Sequence, residues 1–221
     1  MTPDYPFHPD DFPINEDVEF EPTHVFYLKG CIHFKHTASI LNLTGHVGET
    51  FEGDFDHAFL DAVSSAAQKL ESRPAYRVGS SGDMMRTLKT VTDGATGERL
   101  CDLNMTFVSF DSSRVRFPAG SPHSRHDVEM CPVGGRAADG APKHEAFVKN
   151  SIPYFWDMTA SGGRVGVLYK SLNQTRVEIA RVAGLGFDKD AVLVLDGRQL
   201  DDLVALTTCI VLLNGRDAMD F

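Results

Sequence analysis

The sequence predicts a mainly β fold of the α+β class, a barrel or a sandwich, with a buried helix near the C-terminus. The first observation is a succession of short strand patterns separated by turn residues. The second is a final helical segment that is apolar on nearly all sides. The third is size, because 221 residues with 42% hydrophobic content can bury a large core in one domain. Residues 1–22 carry Phe side chains among Asp, Glu and Pro, and we expect them to form an extended N-terminal arm.

The terminal segment, residues 200–214, predicts the buried helix. It carries no charge between Asp202 and Arg216, and at 100° per residue its apolar side chains cover most of the helix circumference. A bilayer requires about 20 apolar residues, so the segment is too short to cross one. We therefore expect protein to surround it. Asp201 and Asp202 fall in its first turn, where the helix dipole favours negative charge.

Strand patterns account for most of the remaining chain. Between residues 23 and 43, three short runs are separated by breaks, the first at Lys29-Gly30. The dipeptides Asp93-Gly94 and Thr96-Gly97 predict a tight turn between strands at 87–92 and 98–103. The strand after this turn continues in the run 99–110, and the other predicted strands are residues 75–81, 114–117, 154–158, 165–171, 177–184 and 191–196.

Two further segments depart from the strand pattern. Apolar residues recur near a 3.6-residue period over 56–70, which predicts an amphipathic helix, and Pro74 follows its end. Between residues 118 and 142, Gly, Pro and Ala recur without hydrophobic periodicity. This stretch is expected to be a long surface loop.

Part of the chain resembles the tubby-like superfamily, which includes tubby C-terminal domains and phospholipid scramblases. The resemblance rests on the hairpin at 86–103, which looks like the family's hairpin with its D-x-x-G-x turn, on the later strands from 153 to 196, and on the apolar helix with its short polar tail. Order and spacing are similar to small fungal domains of unknown function in that superfamily. The resemblance covers residues 75–219 and implies a closed or near-closed antiparallel β-barrel around the C-terminal helix. Residues 23–221 would then form a single barrel domain.

The chain also departs from that superfamily. The helix at 56–70 interrupts the early strands, and the basic cluster of a tubby-type phosphoinositide site is absent from the sequence. Asp217 and Asp220 alone do not make the calcium loop of a scramblase. Headgroup and calcium binding are therefore not expected from the resemblance.

Charge and cysteine usage exclude other classes. A net charge of −10 argues against a nucleic-acid-binding surface. The first residues are acidic and Pro-rich, so no secretory signal is predicted, and no stretch qualifies as a transmembrane helix. The four cysteines lack CxxC spacing, which predicts reduced thiols in the cytoplasm and no zinc site. We expect no metal and no cofactor.

The candidate catalytic residues lie in the long loop. His123, His126 and Asp127 are titratable groups that could form part of a lid over a pocket, although solvated loop charges are the alternative. Strand alternation places Tyr154 and Trp156 on one face, where they could form aromatic walls for a ligand or anchor the core. A pocket is therefore expected between this loop and the strand mouth near these aromatic residues.

Three more histidines are candidate ligand-binding residues. His33 and His36 are three residues apart, so strand alternation sends them to opposite faces and argues against a shared metal. His57 lies just before the first helix, next to Asp56, and is either a base flanked by a carboxylate or an ordinary helix-start residue.

Two functions fit this sequence. The first is a binding or regulatory module for a hydrophobic small molecule, a lipid or a partner protein. The alternative is a cofactor-independent enzyme of specialised metabolism, in which an apolar barrel pocket orients a hydrophobic substrate for cyclisation, cycloaddition or isomerisation. The two differ in the barrel interior, because the enzyme needs an internal cavity of about 300 Å³ or more and a module filled by its own helix does not.

Overall fold

The computed structural model describes residues 9–32, 37–81, 86–106, 112–136, 142–159, 165–185 and 189–214. This part of the chain contains twelve β-strands, two α-helices and a short 3₁₀ turn, Pro9–Asp11. The helices are α1 (His57–Leu70) and α2 (Asp202–Asn214). The strands are β1 (His24–Lys29), β2 (Thr37–Asn42), β3 (Tyr76–Ser81), β4 (Arg86–Asp93), β5 (Arg99–Thr106), β6 (Ser113–Arg116), β7 (Val128–Arg136), β8 (Pro142–Lys149), β9 (Ile152–Asp157), β10 (Val165–Leu172), β11 (Thr175–Gly184) and β12 (Ala191–Leu195).

The twelve strands form one closed antiparallel barrel. Each strand from β1 to β12 pairs with the next along the chain, and β1 also pairs with β12. Phe26 in β1, for example, lies opposite Asn42 of β2 and Leu193 of β12. Closure gives each of these twelve strands a hydrogen-bonded neighbour on both sides. The predicted barrel is thus confirmed, and the sandwich alternative is excluded.

The terminal helix α2 is buried within the fold, as the sequence predicts. Its residues 204–214 are all buried, and the apolar ones among them belong to the same cluster as the inward side chains of the strands. The hydroxyls of Thr207 and Thr208 donate hydrogen bonds to helix carbonyls one turn earlier, so they bring no unpaired polar group into the core. The helix begins at Asp202 because the Asp201 carboxylate accepts a hydrogen bond from the Leu203 amide at 2.9 Å.

The amphipathic helix α1 packs on the outside of the barrel. Phe59 and Val63 are buried in a cluster with Leu41 of β2 and Val192 of β12. Asp56 caps the helix, since its Oδ1 atom accepts a hydrogen bond from the Phe59 amide at 2.8 Å. The predicted helix is confirmed, and it begins one residue later, after this cap.

The prediction of a loop over residues 118–142 is wrong from residue 128 onward, where β7 begins. Val128 and Met130 alternate into the interior, and pairing with β6 and β8 holds this Gly- and Pro-containing segment extended. The sequence also does not predict β8 as a strand, because His144 and Lys149 interrupt its apolar pattern although both are buried. Tertiary pairing therefore overrides weak local propensity in both strands.

The described part of the N-terminal arm lies along the barrel. Arg176 donates its amide to the Pro13 carbonyl, and Asn15 donates its amide to the Arg176 carbonyl, both at 2.9 Å. Ile14 thereby pairs in parallel with Arg176 near the start of β11. No helix among the described residues is long and apolar enough to cross a membrane.

Candidate functional site

A cleft of about 680 Å³ opens at the end of the barrel where α2 begins. Four parts of the chain meet there: the start of β3, the β4–β5 turn, the loop between β6 and β7, and the start of α2. We call it the helix-end cleft. It is lined by Tyr76, Asp93, residues 98–100, residues 118–123 and residues 201–203.

The β4–β5 turn forms a fixed wall of the cleft. The Asp93 carboxylate accepts hydrogen bonds from the backbone amides of Ala95 and Thr96, at 2.9 and 2.7 Å. These bonds, with the Thr96 hydroxyl, hold the pKa of Asp93 below its ordinary value. Gly94 is required because a Cβ atom there would lie 1.8 Å from the Pro74 carbonyl oxygen. The turn therefore presents an ionised carboxylate on a constrained backbone.

A buried lysine ties the β6–β7 loop to the barrel. Lys149 at the end of β8 donates hydrogen bonds from Nζ to the backbone oxygens of His126, at 2.8 Å, and His123, at 3.3 Å. The same ammonium lies 4.7 Å from the centroid of the Phe117 ring. Burial lowers the pKa of Lys149, although Asp201 and Asp127 oppose this effect. The loop is thus anchored at both histidines.

The cap and the first residue of α2 bring two carboxylates to the cleft. Oδ1 of Asp201 lies 3.2 Å from Nε2 of His123, and Oδ1 of Asp202 lies 3.8 Å from Nδ1 of His24. Burial raises the pKa of Asp202, and the nearby His24 opposes this shift. Burial and the adjacent carboxylates raise the pKa of Tyr76 to about 12. The Tyr76 hydroxyl therefore stays protonated and can donate a hydrogen bond.

The helix-end cleft combines negative charge with apolar walls. The described residues of its lining include the carboxylates of Asp93, Glu98, Asp201 and Asp202 and a single arginine, Arg99. That guanidinium is paired with Asp102, which lies outside the lining. The apolar walls are contributed by Leu100, Pro118, Pro122 and Leu203. Such a cleft suits a ligand with an apolar body and a positively charged group.

The structure places only one of the three predicted catalytic residues on the helix-end cleft. His123 lines it, whereas the His126 and Asp127 side chains do not. His126 is exposed, and the Asp127 carboxylate lies 4.0 Å from the Arg116 guanidinium. Of the loop candidates, only His123 can therefore contact a molecule bound in the cleft.

The predicted aromatic walls lie elsewhere, in the barrel interior. Tyr154 is 3% exposed and stacks on Phe147 at a centroid distance of 5.1 Å. Trp156 is fully buried, and its indole N–H donates a hydrogen bond to Thr208 of α2 at 3.3 Å. Trp156 thus anchors α2, and Tyr154 packs in the same apolar cluster, so both have the core role that the sequence left open as the alternative.

Of the remaining histidine candidates, the structure describes only His57. His57 is the exposed first residue of α1 and does not line the cleft. His33 and His36 lie outside the described residues. Within the described ranges, no three His, Cys, Asp or Glu side chains are grouped closely enough to hold a metal ion.

The sequence does not predict that residues at the ends of strands and at the start of α2 line the helix-end cleft. Asp201 and Asp202 are readable from the sequence as a helix start, but nothing in the local pattern predicts that they face Tyr76 and His123.

No family model matches the chain, and no curated protein or solved structure gives a significant match.

Proposed function

We propose that this chain is a binding module whose ligand is a small, largely apolar molecule with a cationic group, bound in the helix-end cleft. The observation that carries the proposal is that the open cleft and its carboxylates lie at the end of the barrel rather than inside it. α2 occupies the core of the fold, whereas the 680 Å³ cleft lies outside at its first turn. That volume falls within the range of small-molecule sites, about 300–1,000 Å³, which favours a small molecule over a protein partner.

Two further expectations belong to this proposal. Membership of the tubby-like superfamily is supported by the closed twelve-strand barrel and by the buried helix that follows β12. A cytoplasmic location is supported by the four cysteines, which are buried and free of disulfides.

Titration with 2-phenylethylamine tests the proposed ligand chemistry. We expect saturable binding of this arylamine by calorimetry at pH 7, because its ammonium can pair with Asp202 while its ring contacts the apolar walls. Its acidic counterpart, 3-phenylpropanoate, should not bind at the same ionic strength. Asp202→Asn should weaken amine binding about 3- to 10-fold, because solvent screening at this partly exposed carboxylate keeps the loss near that of an ordinary hydrogen bond.

Asp61→Asn is the matched control, because Asp61 is an exposed carboxylate on α1 outside the cleft. It should leave the affinity for the amine unchanged. Equal weakening by both variants, or equal binding of the two phenyl compounds, would indicate a general charge effect and contradict the proposal.

One observation favours a second candidate function, acid–base catalysis at the same cleft. Nε2 of His123 lies 3.2 Å from the Asp201 carboxylate, which can orient the ring. The enzyme alternative from the sequence would then act at the helix-end cleft.

Hydrolysis of 4-nitrophenyl acetate tests this second candidate. If His123 acts as a base toward water, the protein should accelerate release of nitrophenolate above the buffer rate. His123→Gln should then remove most of that acceleration, since a positioned base contributes about 10²–10⁴-fold. His126→Gln is the control and should retain it. A rate equal to buffer, or equal losses in both variants, would leave the binding module as the function.

A further inference from the structure

A second concavity lies on the side of the barrel and is lined by aromatic side chains. The arm before β1, the loop after β2 and the first turn of α1 enclose a groove of about 350 Å³ over β1. Its lining includes Phe20, Phe51 and Phe59, and we call it the aromatic groove. It shares no residue with the helix-end cleft.

The Phe51 ring lies at a steep angle to each of the other two rings. Phe51 lies 6.2 Å from Phe20 with an interplanar angle of 76°, and 5.2 Å from Phe59 with an angle of 69°. Phe59 is buried, whereas Phe20 and Phe51 are half-buried and reach the groove surface. Non-parallel rings at a surface can direct the negative potential of their faces toward one cation.

The rim of the aromatic groove carries negative charge, which favours a cation. Glu19 and Glu49 line the groove and are exposed, so their carboxylates add negative potential at its rim. The outer ring already takes part in one such contact, because the Arg181 guanidinium lies 5.9 Å from the centroid of Phe20. Arg181 is itself paired with Glu178, which reduces its repulsion of a second cation.

We propose that the aromatic groove binds a trimethylammonium group, as carried by free choline or by the headgroup of phosphatidylcholine. This group is cationic but offers no N–H donor, so it is recognised by aromatic faces and nearby carboxylates rather than by directed hydrogen bonds. Phe51 is the central side chain, because it contacts both other rings and, unlike Phe20, has no arginine over its ring among the described contacts.

Choline chloride is the probe for the first test, with 3,3-dimethylbutan-1-ol as its uncharged isostere. We expect choline to cause saturable shifts of the backbone amide NMR signals of Gly45, Val47 and Phe51 at constant ionic strength. The alcohol should bind at least about tenfold more weakly, because it has the same shape without the cation. Equal binding of the alcohol, or no shift with choline, would contradict the proposal.

Phe51→Leu keeps an apolar side chain and removes the ring, so it should abolish the choline-dependent shifts. Phe12→Leu is the control, since Phe12 is also half-buried but lies outside the groove. If Phe51→Leu does not fold, Glu49→Gln replaces it and should weaken choline binding about 2- to 5-fold, as expected for one exposed charge. Full affinity in every folded groove variant would overturn the assignment.

Vesicle sedimentation distinguishes the two sources of the group. Sedimentation with phosphatidylcholine that free choline displaces would support the headgroup as the ligand. Choline binding without sedimentation would support a soluble ligand. Sedimentation that is equal on phosphatidylglycerol and insensitive to choline, with no NMR shift at the groove, would contradict the proposal. Leu100 and Leu203 report on the helix-end cleft and should not respond to choline, so failure at one site is separable from failure at the other.

Discussion

Replacing Ile210 by Ala is expected to lower the free energy of unfolding by about 2–5 kcal/mol, the range for large-to-small changes in a protein core. Ile210 lies in α2 and is fully buried within the main apolar cluster. Because the closed barrel cannot collapse easily around a shortened side chain, the lost contacts leave a cavity rather than a repacked core.

Urea unfolding of the two proteins under identical conditions measures this change. Ile14→Ala is the matched control, because Ile14 is 50% exposed on the arm. Its free energy of unfolding should change by no more than about 0.5 kcal/mol. A midpoint for Ile210→Ala that equals the wild-type value would contradict the position of α2 inside the fold.

The second large effect concerns the buried amine of Lys89. This side chain is 1% exposed, and its Nζ atom donates a hydrogen bond to Oδ1 of Asn214 at 3.2 Å. Asn214 in turn donates to the backbone oxygen of Cys31 at 2.7 Å. Burial lowers the pKa of Lys89 from its ordinary 10.5 to about 7. The amine is therefore largely neutral in the folded protein above neutral pH.

This lowered pKa makes folding more favourable as the pH rises above 7. Between about pH 7 and 10.5 the unfolded chain holds a proton on Lys89 that the folded protein has released. The free energy of unfolding should then rise by up to about 1.4 kcal/mol per pH unit from this group alone. Below about pH 7 both states are protonated, and Lys89 adds no further dependence.

Other buried groups limit the pH range over which the effect of Lys89 on stability can be measured to pH 7–9. Burial raises the pKa of Tyr76 and Cys101 to about 12, so at high pH they ionise first in the unfolded chain. Their effect is to lower stability as the pH rises beyond about 9. Above pH 9 the contribution of Lys89 is therefore opposed.

A difference measurement isolates Lys89. Urea unfolding of wild type and Lys89→Met at pH 7 and pH 9 should show wild type gaining about 2–3 kcal/mol relative to the variant across that interval. Lys69→Met is the control, because Lys69 is exposed on α1, and its pH dependence should parallel that of wild type. Parallel curves for Lys89→Met and wild type would mean that Lys89 keeps an ordinary pKa.

The sequence predicts those parts of the fold whose signal is local. The 86–103 hairpin follows from its turn dipeptides, and α1 and α2 follow from one-sided and all-round apolar patterns. β7 was missed because only barrel pairing makes its Pro- and Gly-containing segment extended. The residue types in β4 also mislead a prediction from hydrophobicity, because Lys89 points inward while the neighbouring Leu88 is 42% exposed. The register of the strands in the barrel determines which side chains face inward, and local hydrophobicity does not encode that register.

The helix-end cleft was predictable only in part. His123 stands out by residue type in a loop, and the structure does place it at a cleft. Tyr76 and Asp202 are far apart in the chain, and only the closure of the barrel around α2 brings them together. Trp156, the most conspicuous aromatic residue in the sequence, is instead used to anchor the helix through Thr208.

Methyl NMR of the full chain during titration with 2-phenylethylamine tests most directly whether the ligand binds outside a filled barrel. Leu100 and Leu203 line the helix-end cleft, whereas Ile179 and Ile210 are fully buried within the main apolar cluster. We predict that the amine shifts the methyl signals of the two leucines and leaves those of the two isoleucines unchanged. Shifts of the isoleucine methyls with unchanged leucine signals would place the ligand inside the barrel and contradict a module filled by its own helix.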